Sequence, residues 1–578
     1  MSMRWLICAV LLAPAACGGD AAGLADAVAG DASADSEAGS RADADAAAEA
    51  ALDAQPTEDV ADTDAAPDLG LDSGADVEIA PDSAPDSAPD SAPDSAPDSA
   101  PDAVIADAPD TGPDLPADPC ALLPAPDALG APTNAPAWLA TLVALYDCGA
   151  ITRDSLRDIA ATVPAPTAWP SPDTTLLSAS ETPWPLPASL TVPAGQVLLM
   201  APGARLRLAA GARLTVLGRV LWLGTAEAPV TIDGDAPGYD TILLRGGPHV
   251  VAHAQLSLGD ALLTVGPTTA EVSLSDLRLD AWRDNGLRLD KTAYTTLTRA
   301  TFGADTPVEL QSGEALYGNL SSILLSDSTF WPSISADDSV DLENCPPGLP
   351  ARLVGNVFLG GMDDAIDLDI CPALIDGNLI QNYLPPPGPI EGLNGGGVTG
   401  QNSSVVLVDN VILGCRHGVG FKDGSHVVLA HTTITGCGIG VALYKTDAGA
   451  KLSSMLAVNA LVYGNSDGED GAAHDIELDG AWTGFPGALD PALLDARHCM
   501  FGQPWAGEGN LTADPLWEVV DGIPRLQPGS PAIASGLSPA AASLSASALQ
   551  ALRLDFMGKA RTDGDGVWLP VSRGAVEP

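Results

Sequence analysis

Two stretches of this chain carry carboxylates in the same order. Asp337-Asp338-Ser339-Val340-Asp341-Leu342-Glu343-Asn344-Cys345-Pro346 returns 26 residues later as Asp363-Asp364-Ala365-Ile366-Asp367-Leu368-Asp369-Ile370-Cys371-Pro372. If the copies stack, Asp337 lies over Asp363, Asp338 over Asp364, Asp341 over Asp367 and Glu343 over Asp369. Like charges held that close are costly unless something compensates them. A hard divalent cation is the simplest compensation, and calcium accepts a flexible set of carboxylate and carbonyl oxygens. Asp337, Asp338, Asp341, Asp363, Asp364, Asp367 and Asp369 are therefore the candidate cation ligands, with calcium the candidate cofactor. Protonation of some carboxyls, or side chains turned to opposite faces, would relieve the same repulsion without an ion.

A second group of chemically capable residues follows. Aligning Ile366 with Val398, Val419 and Val441 as inward positions places Asp369, Gln401, Lys422 and Tyr444 in one column and Asn402, Asp423 and Lys445 in the next. The chain has five lysines, Lys291, Lys422, Lys445, Lys451 and Lys559, so two of them beside the acidic coils carry weight. Their plain role is to neutralise nearby carboxylates. An amine beside a neutralised carboxylate can also serve as a general base.

These columns exist only if the chain is a solenoid, and the repeats require one. Gly414-Cys415-Arg416-His417-Gly418-Val419 matches Gly436-Cys437-Gly438-Ile439-Gly440-Val441 at an offset of 22, Asn356 and Asn378 are also 22 apart, and Asn410 takes the equivalent place after a longer loop. Units this short cannot hold a core alone and must stack. Their content is β-type, as in Leu190-Thr191-Val192, Arg205-Leu206-Arg207-Leu208 and Leu214-Thr215-Val216-Leu217, which makes the solenoid a parallel β-helix. Neighbouring strands lie about 4.8 Å apart. Cys345 over Cys371 and Cys415 over Cys437 then fall within disulfide range, or stack as unbonded thiols. Cys499 is left over, and Asn356, Asn378 and Asn410 should form an asparagine ladder at the turns.

The N-terminal part is different material. Arg4, the apolar run Trp5 to Pro14 and the small residues Ala15-Ala16 before Cys17 read as an export signal, too short to span a bilayer. Residues 18–119 are Ala, Asp, Pro, Ser and Glu, with five Pro-Asp-Ser-Ala units from Pro81 to Ala100, and should form a disordered tether. Residues 120–180 hold two helical patterns, Ala137 to Tyr146 and Thr152 to Ile159, read as a cap on the first coil; Cys120 and Cys148 bracket the first and are placed to pair. The formal net charge of -51, from 76 acidic against 25 basic residues, excludes nucleic acid and anionic membrane surfaces as partners for the bulk of the chain.

The segment Ala15-Ala16-Cys17-Gly18-Gly19 resembles a bacterial lipobox, which implies lipidation at Cys17, a membrane contact through the lipid anchor alone, and a place at the cell envelope or surface; without lipidation the protein is secreted. From about Leu186 to Ala534 the chain resembles the pectin lyase-like right-handed parallel β-helix superfamily, on Asp363 to Asp369, Gly418-Val419-Gly420-Phe421-Lys422-Asp423 and Gly440 to Lys445. The closing segment, Arg573-Gly574-Ala575-Val576-Glu577 included, is similar to the end of many secreted β-helix proteins. The organisation expected is residues 1–17 signal, 18–119 tether, 120–180 helical cap, 181–535 all-β right-handed parallel β-helix and 536–578 closing segment.

The resemblance implies a polysaccharide partner and leaves three functions open. In a calcium-assisted lyase acting on uronates, Lys422 would be the base, with Arg416 or Lys445 binding the substrate carboxylate. In an inverting glycoside hydrolase, Asp363-Asp364 and His417-Gly418 resemble elements of polygalacturonases, although Ala442 or Leu443 stands where that family has Arg. A surface binder or structural protein uses the same scaffold without chemistry. Trp282, Trp331, Tyr383 and Tyr444 are the aromatic residues expected to line a local groove.

Overall fold

Short runs of alternating apolar residues, each broken by a left-handed turn, fix the path of the chain. The computed structural model describes residues 120, 123–133, 135–164, 176–304, 311–333, 337–385, 395–446, 450–466, 474–478 and 489–578. Cys17 and the tether expected over 18–119 lie outside the described residues.

The chain winds as a parallel β-helix with three ladders of strands. One is a 13-stranded parallel sheet from Leu176–Leu177 to Leu494–Arg497. The second runs from Trp184–Leu186 to Met500–Phe501 and the third from Leu190–Val192 to Ile476–Glu477. Two long strands, Ala254–Val265 and Arg278–Asp290, join the second and third ladders by turning the corner at Leu258 and Ala281, both with positive φ. Each coil buries one face of its strands, so the interior is a continuous column of Leu, Val, Ile and Phe. Phe302, Phe330 and Phe358 stack there, with centroids 4.5 and 4.6 Å apart. Each such side chain contributes about 1.5–3 kcal/mol by leaving water.

Polar ladders close the corners. Asn378 Oδ1 accepts from Asn356 N at 2.9 Å, and Asn410 Oδ1 accepts from Asn378 N at 3.0 Å, so the asparagine ladder stands as expected. A second ladder, of Ser403, Ser425 and Ser453, satisfies the backbone at another corner. At the start of the helix Pro185 sits in the first strand of the second ladder and lacks the N–H that an added strand would use.

The two helices form as the sequence indicates, at Pro136–Asp147 and Arg153–Ala161, with the Thr152 hydroxyl accepting from Ser155 N. They pack from the side: Leu142, Leu145 and Leu156 meet Leu176, Leu199 and Leu221 on the outer face of the first ladder. Cys120–Cys148 ties the piece together. At the other end the closing segment straps the outside of the helix. Arg561 is buried and pairs with Asp409 at 2.7 Å and Glu577 at 2.8 Å, and Ala575 N donates to Thr433 Oγ1.

The two stacked cysteine pairs, each open between a bond and free thiols, divide. Cys345 and Cys371 are bonded across 4.6 Å between Cα atoms, but Cys415 and Cys437 are free, as is Cys499. Cys415 and Cys437 sit at a different corner, buried, and each thiol turns back to a carbonyl two residues earlier, Leu413 O and Thr435 O. Stacking in register does not by itself supply the specific geometry a disulfide needs.

Candidate functional site

The third ladder carries the chemistry on its outward face. In the strand Val340–Glu343 the inward residues are Val340 and Leu342, which leaves Asp341 and Glu343 facing out. The next strand, Asp367–Asp369, repeats this in register, Asp341 opposite Asp367 and Glu343 opposite Asp369. Asp367 then pairs with Thr399 and Asp369 with Gln401; one coil further Thr399 meets Gly420 and Gln401 meets Lys422, and beyond that Ala442 and Tyr444 follow. The column Asp369, Gln401, Lys422, Tyr444 therefore exists as the spacing indicated.

Before each strand the chain adds further carboxylates. Asp338 Oδ1 accepts from Asp364 N at 2.8 Å, and Ser339 N donates to Asp364 O, so these two coils are stacked there too. Asp364 is buried; its Oδ1 accepts from Gly396 N at 2.5 Å and its Oδ2 from Thr399 Oγ1 at 2.6 Å. A Cβ on Gly396 would lie 2.8 Å from Asp364 Oδ1, so the carboxylate occupies the space a side chain would take.

Two groups of oxygens converge: Asp338, Asp341 and Asp367 form one, Asp338, Asp363 and Asp364 the other, and within each the oxygens lie within 4.8 Å of one another. Asp337 and Asp369 fall outside both. Asp337 Oδ2 accepts from Gly313 N on the preceding coil, while Asp369 Oδ2 accepts from Gln401 Nε2 and its Oδ1 is buried with no hydrogen-bond partner among the described residues. Glu343 accepts from Tyr317 OH and Asn319 Nδ2.

The crowding shows in the proton affinities. Burial, then Asp364 and the other carboxylates around it, push Asp338 well above the usual range. Burial and Asp367 raise Asp341 to about 8, and burial with Asp363 and Asp367 raises Asp364 to about 7 despite hydrogen bonds from Thr399 and Gly396. Asp369 is raised by burial and Asp367, with Gln401 and Lys422 acting against them. Protons or a cation must hold such a cluster together.

The remaining candidates divide. Lys422 is half-buried at the end of its strand, on the acidic face. His417 is buried at the strand's start, in register with Gly396, and Arg416 is exposed beside it. Lys445 follows Tyr444 at the strand end, where Asp423 accepts from Thr446 N rather than from the lysine's own backbone. Trp282 and Tyr383 do not line a groove: both are interior, Trp282 edge-on to Phe302 and Tyr383 with its hydroxyl 2.7 Å from Ser339 Oγ. The left-handed Ile370, at φ 53° and half exposed beside Asp369, is a feature the sequence did not announce. A β-branched residue there is strained, and such strain gathers at functional sites.

No protein-family model matches the sequence, and no curated protein matches it. Among solved structures the chain is similar to pectate lyase Pel9A, at 14% identity and TM-score 0.33, over 66% of this chain and 88% of that one. It is also similar to the PL6 family alginate lyase AlyGC, at 11% identity and TM-score 0.23, over 64% of this chain and 57% of that one.

Proposed function

We propose that this protein is an exported, surface-tethered lyase that cleaves a uronate-containing polysaccharide with the help of a bound divalent cation, calcium in the first instance. The observation that carries the reading is one face of one ladder: five converging carboxylates and, two strands on in the same register, Lys422. Asp338, Asp341, Asp363, Asp364 and Asp367 fit a hard cation, because their oxygens are close, partly dry and costly to leave ionised together. Bound there, the cation would neutralise the substrate carboxylate and so acidify the neighbouring C–H. Lys422 lies about 10 Å along the helix axis from Asp369, two inter-strand spacings, and in this reading its Nζ takes the C5 proton. Arg416, just before the strand His417–Lys422, or Lys445, just after the strand Ile439–Tyr444 of the next coil, binds a further carboxylate of the polymer. Cys17 and the tether belong to the reading as anchor and spacer.

Inverting hydrolysis is the second reading, favoured by Asp364, whose carboxyl at about 7 suits a general acid. It ranks lower because both Asp364 oxygens already accept hydrogen bonds, from Gly396 and Thr399. A non-catalytic binder is the third.

The test is to incubate the purified protein with polygalacturonate and with alginate, with calcium or with chelator, and follow ultraviolet absorbance of the new C4=C5 bond. Calcium-dependent absorbance that Lys422→Ala lowers by about 10²–10⁴-fold, with calcium affinity by calorimetry unchanged, is the expected result. Reducing ends without absorbance would replace the lyase by the hydrolase, and retention of polymer with neither product would leave a binder.

A further inference from the structure

We propose that Tyr444 is the catalytic proton donor to the departing oxygen in this elimination, an assignment that rests on the lyase reading and completes its chemistry. Tyr444 ends the strand Ile439–Tyr444 in register with Lys422. Its parity points it outward, since Leu443 fills the core, yet only 4% of it is exposed. An outward side chain can be that buried only by lying along the surface.

What it lies on is visible from a glycine. A Cβ on Gly420 would be 3.6 Å from Tyr444 Cε1 and 3.7 Å from Thr399 Cγ2. The ring therefore leaves its own coil and crosses the bare backbone of Gly420 on the diagonal toward Thr399, which pairs with Asp367. The phenol thus lies within the field of the acidic cluster. Burial first, then Asp364 and Asp367, raise its proton affinity and keep it protonated at neutral pH.

The reaction needs such a group. When Lys422 Nζ takes the C5 proton, the C–H electron pair forms the C4=C5 bond and the C4–O bond breaks. The leaving oxygen carries away the C4–O bonding pair and departs as an alkoxide unless it is protonated. Tyr444 OH gives its proton to that oxygen, which becomes the hydroxyl of the new chain end. The phenolate then recovers a proton from the Lys422 ammonium, its neighbour in register, and both groups are restored. No oxidant or other reactant is consumed. Among the described residues of this column, Gln401 has no transferable proton and Asp369 lies two strands from Lys422, with Gln401 between them. Thr399, in the adjacent column, has its hydroxyl committed to Asp364.

The experiment is Tyr444→Phe in the full chain, which removes one oxygen and keeps the ring on Gly420. On polygalacturonate with calcium, kcat should fall about 10²–10³-fold while KM and the calorimetric calcium affinity stay within about twofold of the parent. The loss should vanish on a uronate bearing fluoride at C4, a leaving group that needs no proton. Near-parental kcat on polygalacturonate, or an equal loss on the fluoride, overturns the assignment and leaves Lys422 and the lyase reading standing. A parent protein with no elimination on either substrate overturns both.

Discussion

Asp364→Asn separates the cost of the acidic cluster from its use. Asp364 is 2% exposed and holds its proton up to about pH 7, whereas an aspartate in the unfolded chain releases it near 3.9. Between those two values the native state binds the proton and the unfolded state does not, so stability falls as pH rises from about 4 to about 7 and is flat above. The gap corresponds to about 4 kcal/mol, and it is shared with Asp338, which titrates with Asp364 as a pair. Asparagine is nearly isosteric: its oxygen can accept from Gly396 N and its amide can donate to Thr399 Oγ1. In chelator at pH 8.5 the variant should therefore be more stable than the parent by up to about 4 kcal/mol, and at pH 5 by only about 1.5 kcal/mol. For a folded unit from Cys120 to Pro578, at about 2.1 cal/mol/K per residue, 1 kcal/mol moves Tm by about 1 °C. Circular dichroism melts should accordingly show a difference of about 4 °C at pH 8.5 and about 1.5 °C at pH 5. Calcium at a thousandfold excess over Kd adds about 4 kcal/mol to the parent, closing the gap, and leaves the variant little changed. A parent melting temperature that does not fall between pH 5 and 8.5 in chelator, with a variant less stable at both, would refute the reasoning.

The disulfide Cys345–Cys371 starts two residues beyond Glu343 and Asp369, and so clamps the two acidic strands together. Replacing both cysteines with serine should cost about 3 kcal/mol and weaken calcium binding by calorimetry, while the same change at Cys120 and Cys148 should leave calcium affinity unchanged; equal affinities in both variants would make the first bridge a plain staple. Asn378→Ala removes the acceptor for Asn356 N and Nδ2 and the donor to Leu353 O and Asn410 Oδ1. Urea unfolding should show a loss of about 3 kcal/mol, since each buried orphan costs about 1–3 kcal/mol, and a loss below about 1 kcal/mol would mean that water replaces the rung.

Registers were legible in the sequence because strand parity is strict. Once Asp341 is matched to Asp367 and Val419 to Val441, every side chain between them is assigned to the core or the surface, and the Lys422 column follows. What parity leaves undetermined is the corner. Cys345–Cys371 and Cys415–Cys437 have the same stacking in sequence, but they sit at different corners, and the first is bonded while the second is a pair of free thiols. Parity also fails at strand ends, where Tyr383 turns inward to Ser339 although it borders a loop. The Arg561–Asp409 pair joins segments with no shared repeat, so no periodicity announces it. Gly420 was invisible as a site residue because its contribution is the side chain it lacks.

One lengthened coil lies beside the acidic strands. Asn356 to Asn378 is a regular coil, but the next coil is lengthened between Pro385 and Gly395, whose intervening residues lie outside the described ones. Arg416 N donates to both Tyr383 O and Gly395 O, so the two ends of the insertion are closed on each other by a single N–H. From there Tyr383 reaches Ser339 and Gly396 reaches Asp364, one contact to each acidic coil. The ends of the insertion are thus fixed to the carboxylate coils, while Lys422 and Tyr444 are separated by a step of 22 residues. A solenoid tolerates insertions at any corner, and loops on such scaffolds carry specificity. Under the lyase reading, Tyr383 and Gly395, the described ends of this insertion, are held by the coils whose carboxylates would bind the cation.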